Sequence, residues 1–195
     1  MTTRTTTHVV FIQGGGAGAH DADALMAASL RTHLGEGFSV DHPLMPEEDD
    51  PDYGRWSPAI GEAIHAAKPP TVLVGHSIGG YLLLKHLAEN RPATPIRAVC
   101  LIATPFPGGD ENWTFDGFDL PAAFAEELPQ GAEVFLYASE DDETVPYAHR
   151  DLYAAAIPGA ITRTTTGGHQ LGDNLDVIAR DIRTLFSGIR VKGTP

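Results

Sequence analysis

Short apolar runs alternate with longer stretches of helical periodicity along nearly the whole chain. Residues 8–12 and 71–74 are apolar without alternation, the pattern of strands buried on both faces. Residues 96–103, 133–138 and 160–165 read as further strands, and 38–44 as a weaker one. Between them lie helical stretches. Over residues 22–34, Leu25, Met26, Ser29 and Leu30 give an apolar face, with Asp21 as a plausible cap. From Ile78 on, Tyr81, Leu82, Leu83 or Leu84, Leu87 and Ala88 recur at helical spacing. Residues 147–156 and 174–186 follow suit, the last with Leu175, Ile178, Ile182, Leu185 and Phe186 on one side. Shorter helices are predicted at 120–128 and at 58–67, with Pro58 in a first turn. Strands alternating with helices predict an α/β chain, with a doubly wound, mostly parallel six-stranded sheet and helices on both faces. No repeat or linker divides it, so residues 1–195 read as one domain, with 1–7 as a frayed end.

The stretch from 71 to 84 carries the strongest chemical signal. A buried strand runs into Gly75-His76-Ser77-Ile78-Gly79-Gly80 and then into an apolar helix. A serine is a useful nucleophile only where its hydroxyl projects clear of the backbone, and a tight strand-to-helix turn does this by straining the serine. The turn crowds its flanks, so positions 75 and 79 must lack side chains. Glycine in a first helical turn costs about 1 kcal/mol against alanine, a cost that a nucleophile turn explains and a structural helix does not. The helix N-terminus also points N–H groups at any oxyanion formed beside Ser77.

Composition narrows the classes. Hydrophobic residues make up 42% and charged residues 20%, as in ordinary soluble globular proteins. No apolar run approaches the roughly 20 residues of a membrane span, and residues 1–7 have no apolar signal-peptide core. Cys100 is the single cysteine, which excludes an internal disulfide, fits a cytoplasmic setting and reads as an inert core residue. The formal net charge of −13 argues against nucleic acid and anionic membranes as partners. A small molecule is the expected partner, with the protein a monomer or homodimer. Gln13-Gly14-Gly15-Gly16-Ala17-Gly18 is not a dinucleotide fingerprint, and no cofactor is expected. His20, Asp21 and Asp23 form one short cluster without a second-loop partner, so no metal is expected.

In an open parallel sheet, ligands bind outside the carboxyl ends of the strands. Four strand-following loops then converge: 13–18, 76–78, 139–146 and 167–172. They supply Ser77, a carboxylate from Glu140, Asp141 or Asp142, and His169. Asp110, Asp116 and Asp119 are fallback acids. His76 reads as packing under the turn and His20 as a surface histidine beside the site.

Taken in the order Ser77, Asp142, His169, with the serine turn after the third strand, the sequence resembles the α/β-hydrolase superfamily over nearly its whole length. Gly75-His76-Ser77-Ile78-Gly79-Gly80 looks like its nucleophile elbow, and Asp142-Glu143-Thr144-Val145-Pro146 like its D-x-x-V-P acid turn. Gly168-His169 looks like its base loop. Gln13-Gly14-Gly15-Gly16 resembles the first oxyanion loop, with Gln13 where many members have histidine. The small size and the Trp56 helix resemble the minimal, capless serine hydrolases of the superfamily. The resemblance implies Ser77 as nucleophile, His169 as base and Asp142 as its orienting acid. The N–H groups of Ile78 and Gly15 would form the oxyanion hole, with Gly16 as the neighbouring candidate for the second donor.

The implied activity is carboxylesterase-like hydrolysis through an acyl-enzyme. The same residues could serve a perhydrolase, an acyltransferase or a lyase, or stand idle in a binding module. Gly14, Gly16, His76, Phe106 and Trp113 are the expected substrate contacts. Phe106, Trp113, Phe115, Phe118 and Phe124 could wall an acyl pocket or merely pin their loop. Basic residues in the strand-following loops reduce to Arg55, against twelve acids including Asp49, Asp50 and Asp52, so a neutral or cationic ester is expected.

Overall fold

The apolar runs become the strands of one sheet. The computed structural model describes residues 6–114 and 117–187. Its strands are β1 (Thr7–Ile12), β2 (Phe38–Asp41), β3 (Thr71–His76), β4 (Ile96–Ile102), β5 (Glu133–Ser139) and β6 (Ile161–Thr165). They lie in the order β2-β1-β3-β4-β5-β6, and every neighbouring pair is parallel. The helices are α1 (Ala19–Leu34), α2 (Tyr53–Ala66), α3 (Ser77–Glu89), α4 (Phe124–Glu127), α5 (Ala148–Ala156) and α6 (Asp176–Ser187).

Side chains alternate across each strand, so both faces need cover. Val9, Phe11, Val72 and Val74 pack with Met26 and Leu30 of α1 and Ile178 and Ile182 of α6. Val10, Ile12, Leu73 and Val99 pack on the other face with Trp56 and Ile60 of α2, Leu83 of α3 and Tyr153 of α5. Cys100 is fully buried, and burial pushes its thiol pKa up. No helix among the described residues is long and apolar enough to cross a membrane.

The chain leaves β1 toward β2 and returns to place β3 on the opposite side of β1. That reversal is the topological switch point, where open sheets leave a crevice at their carboxyl edge. The glycine loop after β1 and the serine turn after β3 therefore lie side by side.

Several boundaries differ from the sequence reading. The frayed end predicted over 1–7 fails at Thr7, which lies in β1 and donates its N–H to the Gly37 carbonyl at 2.9 Å. Residues 1–5 lie outside the described residues. Helix α1 begins at Ala19 rather than at residue 22, and Asp21 is not its cap. The Glu48 carboxylate reaches over instead and accepts from the Gly18 and His20 N–H groups at 3.0 and 2.7 Å. Leu25 is exposed, and Met26, Ala27, Leu30 and Leu34 form the buried face. Helix α2 begins at Tyr53, because Asp52 caps it by accepting from the Arg55 N–H at 3.1 Å. Pro58 thus sits in the second turn, not the first. Helix α3 is buried nearly all round, with Leu82, Leu83 and Leu84 each buried. The helix predicted over 120–128 contracts to Phe124–Glu127, between Pro121 and Pro129. Among the described residues, the interval between β4 and β5 therefore holds one short helix and no large cap.

Candidate active site

Ser77 stands at the end of β3 as the first residue of α3, with φ at +52°. This is left-handed backbone that residues other than glycine rarely adopt, and it is strained as the serine-turn reading requires. The glycines around it are sterically obligatory. A Cβ on Gly75 would lie 2.6 Å from the Gly80 Cα, and one on Gly79 would lie 1.8 Å from the Gln13 carbonyl oxygen. The latter contact also shows how closely the glycine loop lies against the serine turn.

The turn presents the serine to a histidine held by an acid. Ser77 Oγ lies 2.9 Å from His169 Nε2, and His169 Nδ1 lies 2.9 Å from Asp142 Oδ2. The other Asp142 oxygen accepts from the Thr144 and Val145 N–H groups at 2.8 and 2.9 Å. The Asp142 side chain is 1% exposed. Burial opposes its charge, but the His169 and backbone hydrogen bonds outweigh that and hold its carboxyl below the ordinary value. With Nδ1 protonated toward the carboxylate, Nε2 is the nitrogen left to accept the serine hydroxyl proton.

The neighbouring carboxylates work elsewhere. Asp141 accepts from the Gly167 and Gly168 N–H groups and from the Ser139 hydroxyl, and so fastens the histidine loop to the end of β5. Glu140 is exposed. Asp110 accepts from His149, and Asp119 from Lys85. Asp116 and Phe115 lie outside the described residues.

In the glycine loop the N–H groups are not equivalent. Gly14 donates to Asp23 at 2.7 Å and Gly16 to the Glu48 carbonyl at 2.6 Å. The Gly15 N–H has no partner among the described residues, and the Ile78 N–H belongs to the first turn of α3, where no helical acceptor exists. The Glu48 side chain also accepts from Gln13 Nε2 at 2.6 Å, and Gln13 Oε1 accepts from Met45 N–H at 2.9 Å. The buried Gln13 thus ties the glycine loop to the segment after β2. Hydrogen bonds from His20, Gln13 and Gly18 hold the Glu48 pKa down, the His20 contribution being the largest.

His76 is buried beneath the turn. Its Nδ1 lies 2.8 Å from Asp23 Oδ2, and its Nε2 lies 3.1 Å from the His169 carbonyl oxygen. His20 is half-buried, stacked on His42 at 4.3 Å, rather than a surface histidine. Asp21 faces solvent while Asp23 is buried, so the His20-Asp21-Asp23 cluster does not converge. Among the described residues, no group of three or more His, Cys, Asp or Glu side chains could hold a metal.

A cleft of about 780 Å³ opens beside Ser77 and His169. Gly15, Gly16, Pro51, Ile78, Tyr81 and Trp113 line it, with Asp49, Asp50, Asp52 and Asp119 also on its wall. Gly14 and His76 border a smaller cavity of about 170 Å³ that also reaches Ser77 and His169. Phe106 does not join them. It packs against Tyr153 with ring centroids 4.9 Å apart and lines a separate cavity with Phe118 and Phe124. The Phe106 N–H donates to His149, which pins this part of the loop inward and away from the serine. Sequence reasoning missed Lys85, a helix residue that reaches the cleft wall. It is held by the Asp119 carbonyl at 2.8 Å and the Asp119 carboxylate at 3.1 Å.

A serine hydrolase family model matches residues 28–174, a span that includes Ser77, Asp142 and His169. No curated protein matches in sequence. Solved structures share the fold. The ydeN gene product of B. subtilis superposes with a TM-score of 0.68 at 20% identity, covering 94% of this chain and 99% of that one. A lidless α/β serine hydrolase from Xanthomonas campestris gives 0.60 at 16%, covering 99% and 86%. Mouse α/β-hydrolase domain-containing protein 10 gives 0.62 at 20%, covering 93% and 90%. The architecture described above is the minimal α/β-hydrolase fold.

Proposed function

The chain belongs to the serine hydrolase family, and from that premise we propose that it cleaves a carboxylic ester, or a related acyl bond, of a neutral small molecule through an acyl-enzyme on Ser77. The observation that carries this reading is the unbroken chain of hydrogen bonds from Asp142 through His169 to the strained Ser77, with both links at 2.9 Å.

The steps follow from the donors and acceptors. His169 Nε2 takes the hydroxyl proton as Ser77 Oγ attacks the acyl carbon. Asp142 keeps Nδ1 protonated and stabilises the imidazolium that forms. The N–H groups of Ile78 and Gly15 receive the oxyanion, and losing one such donor costs about 3 kcal/mol. His169 returns the proton to the leaving alcohol. A water then attacks the acyl-enzyme by the same route, with His169 again accepting and returning the proton.

The charge of the cleft supports a neutral substrate. Four aspartates stand on its wall, and the one cation among its lining residues, Lys85, is already paired with Asp119. A field of that sign repels anions and is screened by salt. The test compares p-nitrophenyl acetate with the p-nitrophenyl monoester of a dicarboxylic acid at low and high ionic strength. The neutral ester should turn over faster, with the gap narrowing as salt rises. Equal turnover at all salt concentrations would overturn the substrate class. Acid quench during turnover should leave an acetyl group on Ser77, and its absence would overturn the acyl-enzyme route.

A further inference from the structure

Three carboxylate–histidine pairs among the described residues are hydrogen-bonded through the ring, and the roles of the ring nitrogens separate them. In His149, Nδ1 accepts the Phe106 N–H at 2.8 Å and Nε2 donates to Asp110 at 2.9 Å. In His169, Nδ1 donates to Asp142 and Nε2 accepts from the serine hydroxyl. One proton on each ring is enough to satisfy both of its partners. His76 differs, because both its nitrogens face acceptors: the Asp23 carboxylate at 2.8 Å and the His169 carbonyl at 3.1 Å. A carbonyl oxygen cannot donate, so Nε2 must carry a proton. Nδ1 must carry one too if Asp23 is ionised. Asp23 has the surroundings of a carboxylate, since it also accepts from the Gly14 N–H at 2.7 Å and from Gln170 Nε2 at 3.3 Å.

We propose that His76 is an imidazolium, ion-paired to Asp23 beneath the serine turn, and that this pair is a positioning device for His169. The positioning half rests on the reading of His169 as the general base. Asp23, 1% exposed, joins three separate loops. It holds the glycine loop through Gly14, the serine turn through His76 and the histidine loop through Gln170. His76 then grips the His169 main chain with a charge-assisted hydrogen bond, the stronger kind. The two rings lie 4.8 Å apart between centroids. Burial opposes the Asp23 charge, but His76 and Gly14 outweigh it and keep its carboxyl below the ordinary value. His42, the other histidine acting on Asp23, has its pKa lowered to about 4 by burial, so at pH 7 it is neutral and offers no competing cation. A buried ion pair is weak evidence for stability, because apolar side chains of equal volume pack as well. Its role is instead to fix one arrangement of three loops through hydrogen bonds that an apolar pair lacks.

The test is NMR of protein labelled with ¹⁵N-histidine at pH 7, with the His76 signals assigned by their loss in His76→Phe. Both His76 nitrogens should show shifts of protonated nitrogen, while His169 and His149 each show one protonated and one bare nitrogen. A bare nitrogen on His76 would overturn the imidazolium, whether or not the protein hydrolyses esters. Asp23→Asn removes the carboxylate charge and should leave one nitrogen of His76 bare at pH 7. In that variant kcat should fall about 10- to 100-fold, as expected for a base displaced by an ångström or less, with KM within about threefold. A kcat within about twofold of the parent protein, or a loss confined to KM, would overturn the positioning role. The wild-type spectrum decides the first half even if Asp23→Asn fails to fold.

Discussion

Asp141 and Asp142 are adjacent in sequence and opposite in duty. Asp142 meets the His169 ring, whereas Asp141 meets only backbone N–H groups of the loop that carries it, and the Ser139 hydroxyl. Asp142→Asn should therefore lower kcat by about 10⁴, the cost of a wrong imidazole tautomer. Asp141→Asn leaves the ring paired but loosens Gly167 and Gly168, so kcat should fall far less. Equal losses in the two variants, measured as kcat on p-nitrophenyl acetate, would contradict this division. The D-x-x-V-P pattern made Asp142 legible in the sequence, because the N–H groups that donate to it lie two and three residues on. Asp23 was not legible, since its partner His76 is 53 residues away and no local pattern links them. Phe106 looked like a pocket residue by type, and the His149 contact that turns it inward has no signature in the sequence.

The two strand-to-helix turns after β1 and β3 make the site, and their glycines differ in kind. A Cβ on Gly15 would lie 2.3 Å from Pro51 Cγ and 2.6 Å from Ile78 Cγ2, so alanine there must push the loop off the serine turn. Gly15→Ala should lower kcat by about 10²–10³, the range for one lost oxyanion donor, with the fold intact by circular dichroism. Gly16 has open space around its missing Cβ but a φ of +121°, so Gly16→Ala should lower the thermal midpoint more than it lowers kcat. The reverse ranking of the two variants would reassign the donor. All six strands were read from the sequence: burial on both faces leaves largely apolar runs in β1, β3, β4 and β5, whereas the edge strands β2 and β6 are only partly buried and carry a weaker pattern. Helix starts were less legible. Helix α1 takes its cap from Glu48, 30 residues beyond Gly18, inside an acidic stretch whose local composition suggests only a loop. Helix α2 starts early because Asp52, one acid among several, happens to face the Arg55 N–H.

For the molecule as a whole, burial of ionisable groups sets the response to acid. Burial, assisted by the charge of His20, lowers the His42 pKa to about 4, and burial lowers that of His86 as well. The unfolded chain binds those protons near the ordinary value of 6.5. Between that value and the folded ones the unfolded state holds more protons, so stability is full above it and is lost as pH falls. Asp23 and Asp142, held below 3.8, add a second loss once pH drops under that value. The thermal midpoint should thus decline as pH falls from about 6.5 toward 4, and fall steeply below 4. A midpoint unchanged down to about pH 4.5 would contradict the burial of the two histidines. The net charge of −13 was readable from composition, but not that Lys85 reaches the cleft and is paired there.

The central claim is that Ser77 is an activated nucleophile, and the most direct measurement is reaction with a fluorophosphonate read by intact mass, for the parent protein and Ser77→Ala side by side. The geometry of Ser77, His169 and Asp142 predicts a single adduct on the parent protein and none on the variant. A folded parent protein that takes up no probe, or an adduct that persists in Ser77→Ala, would contradict it.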